Sequence, residues 1–119
     1  MGSEMCIRDR ALPLIRRAAT LHPEPKVRAR AVEALARLNS VASLGILGQI
    51  VTSDDEYKVQ ESALEALIDL PEFQGLAVIA EVAHTHPTRR LRAEATEALG
   101  NMGQKYLPAR QALMTLIDV

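Results

Sequence analysis

Aromatic residues are nearly absent from this sequence, which has no tryptophan, one phenylalanine and two tyrosines among 119 residues. Its 48% hydrophobic content is therefore mostly Ala, Leu, Ile and Val, small and straight side chains that suit closely packed helices. Cysteine is almost as scarce. The single Cys6 lies in the opening stretch, so the rest of the chain holds no thiol for a disulfide, a thiolate metal site or a nucleophile. Neither sign of charge is in excess: 14 basic residues face 15 acidic ones, a net charge of −1 that supplies no global field toward nucleic acid or an anionic membrane. No apolar run approaches the roughly 20 residues of a membrane helix, and the N-terminus lacks the basic-then-apolar order of a signal peptide. A cytoplasmic protein is the expectation. Period-2 alternation is not sustained anywhere, whereas apolar residues recur at i, i+3, i+4 and i+7. The chain is expected to be all-α.

What the sequence does have is an internal repeat. "HPEPKVRARAVEALARL" from His22, "DDEYKVQESALEALIDL" from Asp54 and "HPTRRLRAEATEALGNM" from His86 align without a gap, each 32 residues after the last. Val27, Val59 and Leu91 coincide, as do Ala31, Ala63 and Ala95; Ala34, Ala66 and Ala98; Leu35, Leu67 and Leu99; and Leu38, Leu70 and Met102. Their spacing traces one stripe of an α-helix, here termed A. A second helix, B, recurs between them: Leu44, Leu47, Ile50 and Val51 match Leu76, Ile79, Val82 and Ala83, and, 32 residues earlier, Leu12, Ile15, Ala18 and Ala19. The last copy, "YLPARQALMTLIDV", fits when one residue is deleted from the preceding turn, which sets Leu107 beside Leu76. The order is B at 11–21, then A-B repeats at 22–53, 54–85 and 86–119.

Turn chemistry agrees with this division. Pro23 and Pro25, the cluster Ser53, Asp54 and Asp55, and Pro87 precede the A helices, as caps and first-turn residues do. Asn39-Ser40, Pro71 and Gly103 interrupt the A-to-B joints, with Gly100 or Gly103 expected as a left-handed cap. Short joints make antiparallel hairpins, and a hairpin buries its apolar stripe only by stacking on another.

"VRARAVEALARL", "VQESALEALIDL" and "LRAEATEALGNM" resemble the first helix of short HEAT-like repeats of the phycobilin-lyase type, whose pattern is approximately D-x-x-x-V-R-x-x-A-x-x-A-L-G. The resemblance covers the chain from about Ala11 onward and implies a right-handed α-solenoid of about three and a half stacked helical hairpins. One departure is Gln60, which stands where Arg28 and Arg92 carry the motif's arginine and breaks an arginine ladder in the middle repeat. The resemblance implies several kinds of work. The first expectation is a non-catalytic protein-protein interaction scaffold that holds a protein partner, or another domain of its parent chain, on a concave helical surface. Alternatives are a non-catalytic piece of a lyase-type enzyme whose active residues lie elsewhere, and a DNA-binding helical repeat. The acidic Glu61, Glu65 and Asp69 between two basic repeats argue against a continuous phosphate track, so nucleic acid is not the expected partner.

The opening "MGSEMCIRDR" has no counterpart in the repeats. It resembles the translation of a transposon-end sequencing adapter, since GTG GGC TCG GAG ATG TGT ATA AGA GAC AG reads through the same residues from a GTG start. Residues 1–10 are therefore expected to be foreign to the parent gene or a disordered N-terminus. The array is expected to continue past "LIDV", and its uncapped ends to expose Leu and Ile, with Leu113, Leu116 and Ile117 at the far end and end-to-end self-association as a consequence.

His22, His84 and His86 are the natural metal-ligand candidates, but His22 and His86 occupy one repeat position and each precedes a proline, the mark of a turn residue. No cysteine or carboxylate completes a ligand set at known spacing. Iron-binding hydroxylases with related repeats carry His-Glu pairs, and none occurs here. Glu33, Glu65 and Glu97 form a column beside the core stripe, where a solvated face is expected. The glycines of "LGILGQ" are expected to permit close helix approach rather than to cradle phosphate. Neither an enzyme activity nor a cofactor or metal site is expected. Charges alternate in sign between successive A helices, which predicts weak pairs of about 0 to 1 kcal/mol across their joints. In the family the B helices line the concave face, so the resemblance points to Arg16, Arg17, Gln49, Glu81, Arg110 and Gln111 as the partner-binding positions.

Overall fold

The computed structural model describes the backbone of residues 3–38 and 41–117, and side chains over 10–38 and 43–116. Seven α-helices run in order through the described residues: α1 Ser3–Leu21, α2 Pro25–Leu38, α3 Val41–Ser53, α4 Tyr57–Asp69, α5 Leu76–Thr85, α6 Arg89–Gly103 and α7 Leu107–Ile117, with a short 3-10 turn at Pro71–Phe73. The A helices are α2, α4 and α6, and the B helices are α1, α3, α5 and α7. No strand occurs among the described residues. The A-to-B joint expected at Asn39-Ser40 lies outside them.

The chain forms two compact units, Met1–Ala66 and Leu67–Val119, divided within α4. In the first, α1 and α3 pack with α2, and the core collects Ala19, Val32, Leu35, Leu47, Val51, Val59, Ala63 and Leu64, all without solvent exposure. In the second, α5, α6 and α7 pack together around Leu67, Ile79, Leu91, Ala95, Leu99 and Ala109, which are equally inaccessible. Leu35, Leu67 and Leu99 are thus buried at equivalent places, and so are Ala31, Ala63 and Ala95. The apolar stripe read from the 32-residue period is the stripe that folding removes from water, at about 25 cal/mol per Å² of apolar surface.

Five expectations need correction. α1 begins at Ser3, ahead of the helix expected over 11–21, because no glycine or proline interrupts the chain between Ser3 and Leu12, and it continues through Pro13. In α7 the buried stripe is Ala109, Ala112 and Leu113, the first fully and the others half buried, while Leu107 is 60% exposed. This stripe matches Ile79, Val82 and Ala83 only if two residues are deleted from the turn rather than one. A contact at the joint explains the register. The Arg110 Nε donates to the Gly103 carbonyl at 3.2 Å, and the Arg110 Cα lies 3.2 Å from where a Gly103 Cβ would stand, so Arg110 is fixed against the end of α6. No glycine adopts a positive φ among the described residues, so Gly100 and Gly103 are not left-handed caps; Gly103 instead lies in close approach to the Arg110 backbone. Nothing lies within 4 Å of a Cβ built on Gly45, so this glycine of "LGILGQ" faces open space rather than a helix. Finally, among the described residues the exposed large apolar side chains of α1 and α7 are Leu14 and Leu21, and Leu107 and Met114. Leu113 and Leu116 are half buried, and the Ile117 side chain lies outside the described residues.

Candidate interaction surface

His22 with Arg28, and His86 with Arg92, lie at turns that open A helices. Each turn is made the same way. The Nδ1 of His22 accepts the Glu24 N–H at 3.1 Å, Asp54 Oδ1 accepts the Glu56 N–H at 2.9 Å, and His86 Nδ1 accepts the Thr88 N–H at 3.0 Å. An imidazole thereby replaces the carboxylate of an Asx-type turn. The carbonyls of Glu24, Glu56 and Thr88 then accept the first helical N–H groups, those of Arg28, Gln60 and Arg92, at 3.1 Å. The same three residues turn their side chains back: Arg28 donates to the His22 carbonyl at 2.7 Å, Gln60 to the Asp54 carbonyl at 2.6 Å, and Arg92 to the His86 carbonyl at 2.6 Å. Gln60 interrupts the arginine column without interrupting the clamp, since an amide N–H reaches the same carbonyl.

Arg28 does one thing more. Its Nε and Nη2 grip Asp54 at 2.9 and 3.3 Å, with Asp55 at 3.6 Å, and the Arg28 and Asp54 side chains are only 10% and 7% exposed. A bidentate arginine-carboxylate pair held in this way ties the start of α2 to the end of α3. It joins the two helices of one hairpin, instead of bridging neighbouring A helices as the alternating charges had suggested.

Metal-site geometry does not arise at the histidines. His86 is 2% exposed and engaged in its turn, while His84 is exposed with Nε2 3.2 Å from the Thr115 hydroxyl. Among the described residues no three His, Cys, Asp or Glu side chains converge. Glu33, Glu65 and Glu97 are exposed.

The B helices offer a different surface. Arg16, Arg17, Gln49, Glu81, Arg110 and Gln111 are all exposed. With the corrected register of α7, Arg17, Gln49, Glu81 and Gln111 occupy one column of the repeat, and Arg16 and Arg110 share the adjacent one. Arg110 is partly committed through its bond to Gly103. Arg16 and Arg17 instead border a groove of about 360 Å³ between α1 and α3, whose remaining walls are Leu12, Pro13 and Ile46. A second feature was invisible in the sequence: Phe73 stacks on Tyr106 with ring centroids 4.5 Å apart, beside a groove of about 370 Å³ bordered by Ile68, Leu70, Glu72, Glu94, Glu97 and Met102. Glu72 and Phe73 both take φ of 57°, a left-handed conformation that no glycine announced.

Hairpins with a 32-residue register, equivalent turn clamps and a recurring core stripe define a helical-repeat protein of the all-α solenoid class. Comparison with protein families names the class further: the HEAT repeats family matches residues 4–68, and the PBS lyase HEAT-like repeat matches residues 91–119. The chain belongs to the HEAT repeat family. No curated protein and no solved structure matches it. HEAT repeats commonly serve as protein-interaction scaffolds, and no described helix is long and apolar enough to cross a membrane.

Proposed function

We propose that this chain is a non-catalytic scaffold that presents the polar register of its B helices to a protein partner or to another domain of its parent chain. The observation that carries the reading is a division of labour among polar residues. The turn residues His22, Arg28, Asp54, Gln60, His86 and Arg92 are committed to hydrogen bonds that build the repeats. Arg17, Gln49, Glu81 and Gln111 are exposed at one repeat position and are available to a ligand. The exposed Leu14, Leu21, Leu107 and Met114 support a further role of the outer helices α1 and α7 in self-association.

Affinity enrichment from a lysate of the source organism tests the reading with two matched triple variants. Arg17→Ala/Gln49→Ala/Glu81→Ala removes the B-helix register, and Glu33→Ala/Glu65→Ala/Glu97→Ala removes the exposed A-helix column. Proteins retained by the unmodified chain and by the A-helix variant, and lost from the B-helix variant, are the expected result. Loss confined to the A-helix variant, or equal retention by both, would refute the assignment.

A further inference from the structure

The groove between α1 and α3 carries a more specific reading, which rests on the B-helix proposal above. We infer that it receives an acidic, amphipathic segment of a protein partner, with an apolar side chain against Leu12, Pro13 and Ile46 and a carboxylate on the guanidinium groups of Arg16 and Arg17.

Charge complementarity selects this occupant. Among the described residues, Arg16 and Arg17 are the charged ones on the walls of the groove, and α3, which supplies its far side, has no charged residue in "VASLGILGQIVTS". A local charge of two positive units therefore sits in a chain whose net charge is −1. Among the described residues neither guanidinium has a hydrogen-bond or ion-pair partner, in contrast to Arg28, Arg92 and Arg110, which are fastened to carbonyls or carboxylates. An arginine left free in this way offers its planar fork to a carboxylate in bidentate geometry. The apolar walls distinguish the site from a bare cationic patch. A volume of about 360 Å³ admits a side chain or two, the scale of an anchor in helix-in-groove recognition. Gly45, exposed on α3 beside Ile46 with open space where a Cβ would stand, lets a partner backbone come close. Nucleic acid would require a run of phosphate contacts, which two arginines over an apolar floor do not supply.

A fluorescein-labelled peptide of leucine and glutamate in helical alternation is a suitable probe, read by fluorescence anisotropy and by backbone chemical shifts of the full chain. Its matched control has lysine in place of glutamate, and a duplex DNA of mixed sequence serves as the phosphate control. The glutamate peptide is expected to bind, to weaken as salt is raised, and to perturb the resonances of Leu12, Arg16, Arg17 and Ile46. The double substitution Arg16→Ala/Arg17→Ala, at exposed positions that leave the fold intact, is expected to weaken it by about tenfold. Leu12→Ala is expected to weaken it while preserving the salt dependence. Equal or tighter binding of the lysine peptide, or indifference to the double substitution, overturns the inference. So does preferential, arginine-dependent binding of duplex DNA, which would assign the groove to phosphate. Shifts confined to Gln49, Glu81 and Gln111 would overturn the groove and leave the B-helix reading standing. Shifts confined to α2, α4 and α6 would overturn both.

Discussion

The turn that opens α2 and the turn that opens α6 share a sequence, a His-Pro pair with arginine six residues after the histidine, and they share a hydrogen-bond pattern. They differ in how fully the arginine is used. Arg28 clamps its turn and also closes a buried ion pair with Asp54, 26 residues on. Arg92 clamps the carbonyls of His86 and Pro87 and is half buried. The local turn is therefore written into each repeat, while the lock between the two helices of a hairpin depends on what the following turn supplies.

The largest effects of substitution are expected where the two regions are alike. Leu35 and Leu99 hold the same column in different units and are both 0% exposed. Leu35→Ala and Leu99→Ala are each expected to lower the unfolding free energy by about 4 kcal/mol in urea titrations. A marked inequality would show that the column is not structurally equivalent. Arg28→Ala comes next, with a loss of about 3 kcal/mol, because it strands the buried Asp54 carboxylate and frees the carbonyls of His22 and Pro23. Arg92→Ala removes only the bonds to carbonyls and is expected to cost about 1 kcal/mol. The smallest effect has the opposite sign. Glu72 sits at φ 57°, so Glu72→Gly should relieve left-handed strain by more than it adds in chain entropy and raise stability by about 0.5 kcal/mol. A loss of stability would show that the Glu72 side chain contributes something its exposed position does not reveal.

Much of the architecture was legible because it is periodic. The columns of Leu35, Leu67 and Leu99 follow from a repeat that can be aligned by eye, and the recurrence of His22 and His86 ahead of proline marks them as turn residues, the role their Nδ1 atoms take as acceptors. The ion pair was not legible, since Arg28 and Asp54 meet only after α2 and α3 fold into a hairpin. Hydrophobicity misled at α7. It ranks Leu107 and Met114 above Ala109, yet the contact between Gly103 and Arg110 sets a register in which Ala109 is buried and the larger residues are exposed. The six positions proposed for partner binding could be read as exposed from their place beside the stripe. The groove over Leu12 and Ile46 could not, because its depth depends on how α1 and α3 lie together. The left-handed pair at Glu72 and Phe73 gave no sequence signal, as neither residue type favours that conformation.

One separation of roles is central: polar residues at the turns hold the repeats, and those on the B helices are proposed to meet a partner. A double-mutant cycle on the Arg28–Asp54 pair tests it most directly. Arg28→Ala removes the cation, and Asp54→Asn removes the charge while keeping an oxygen for the Glu56 N–H. Urea unfolding of both single variants, the double variant and the unmodified chain then isolates the coupling. The expected value is about 2 kcal/mol, with the double variant less destabilised than the sum of the singles. A coupling near zero, with each single variant as stable as the unmodified chain, would mean that Arg28 is not committed to the fold, and the separation of roles would fail with it.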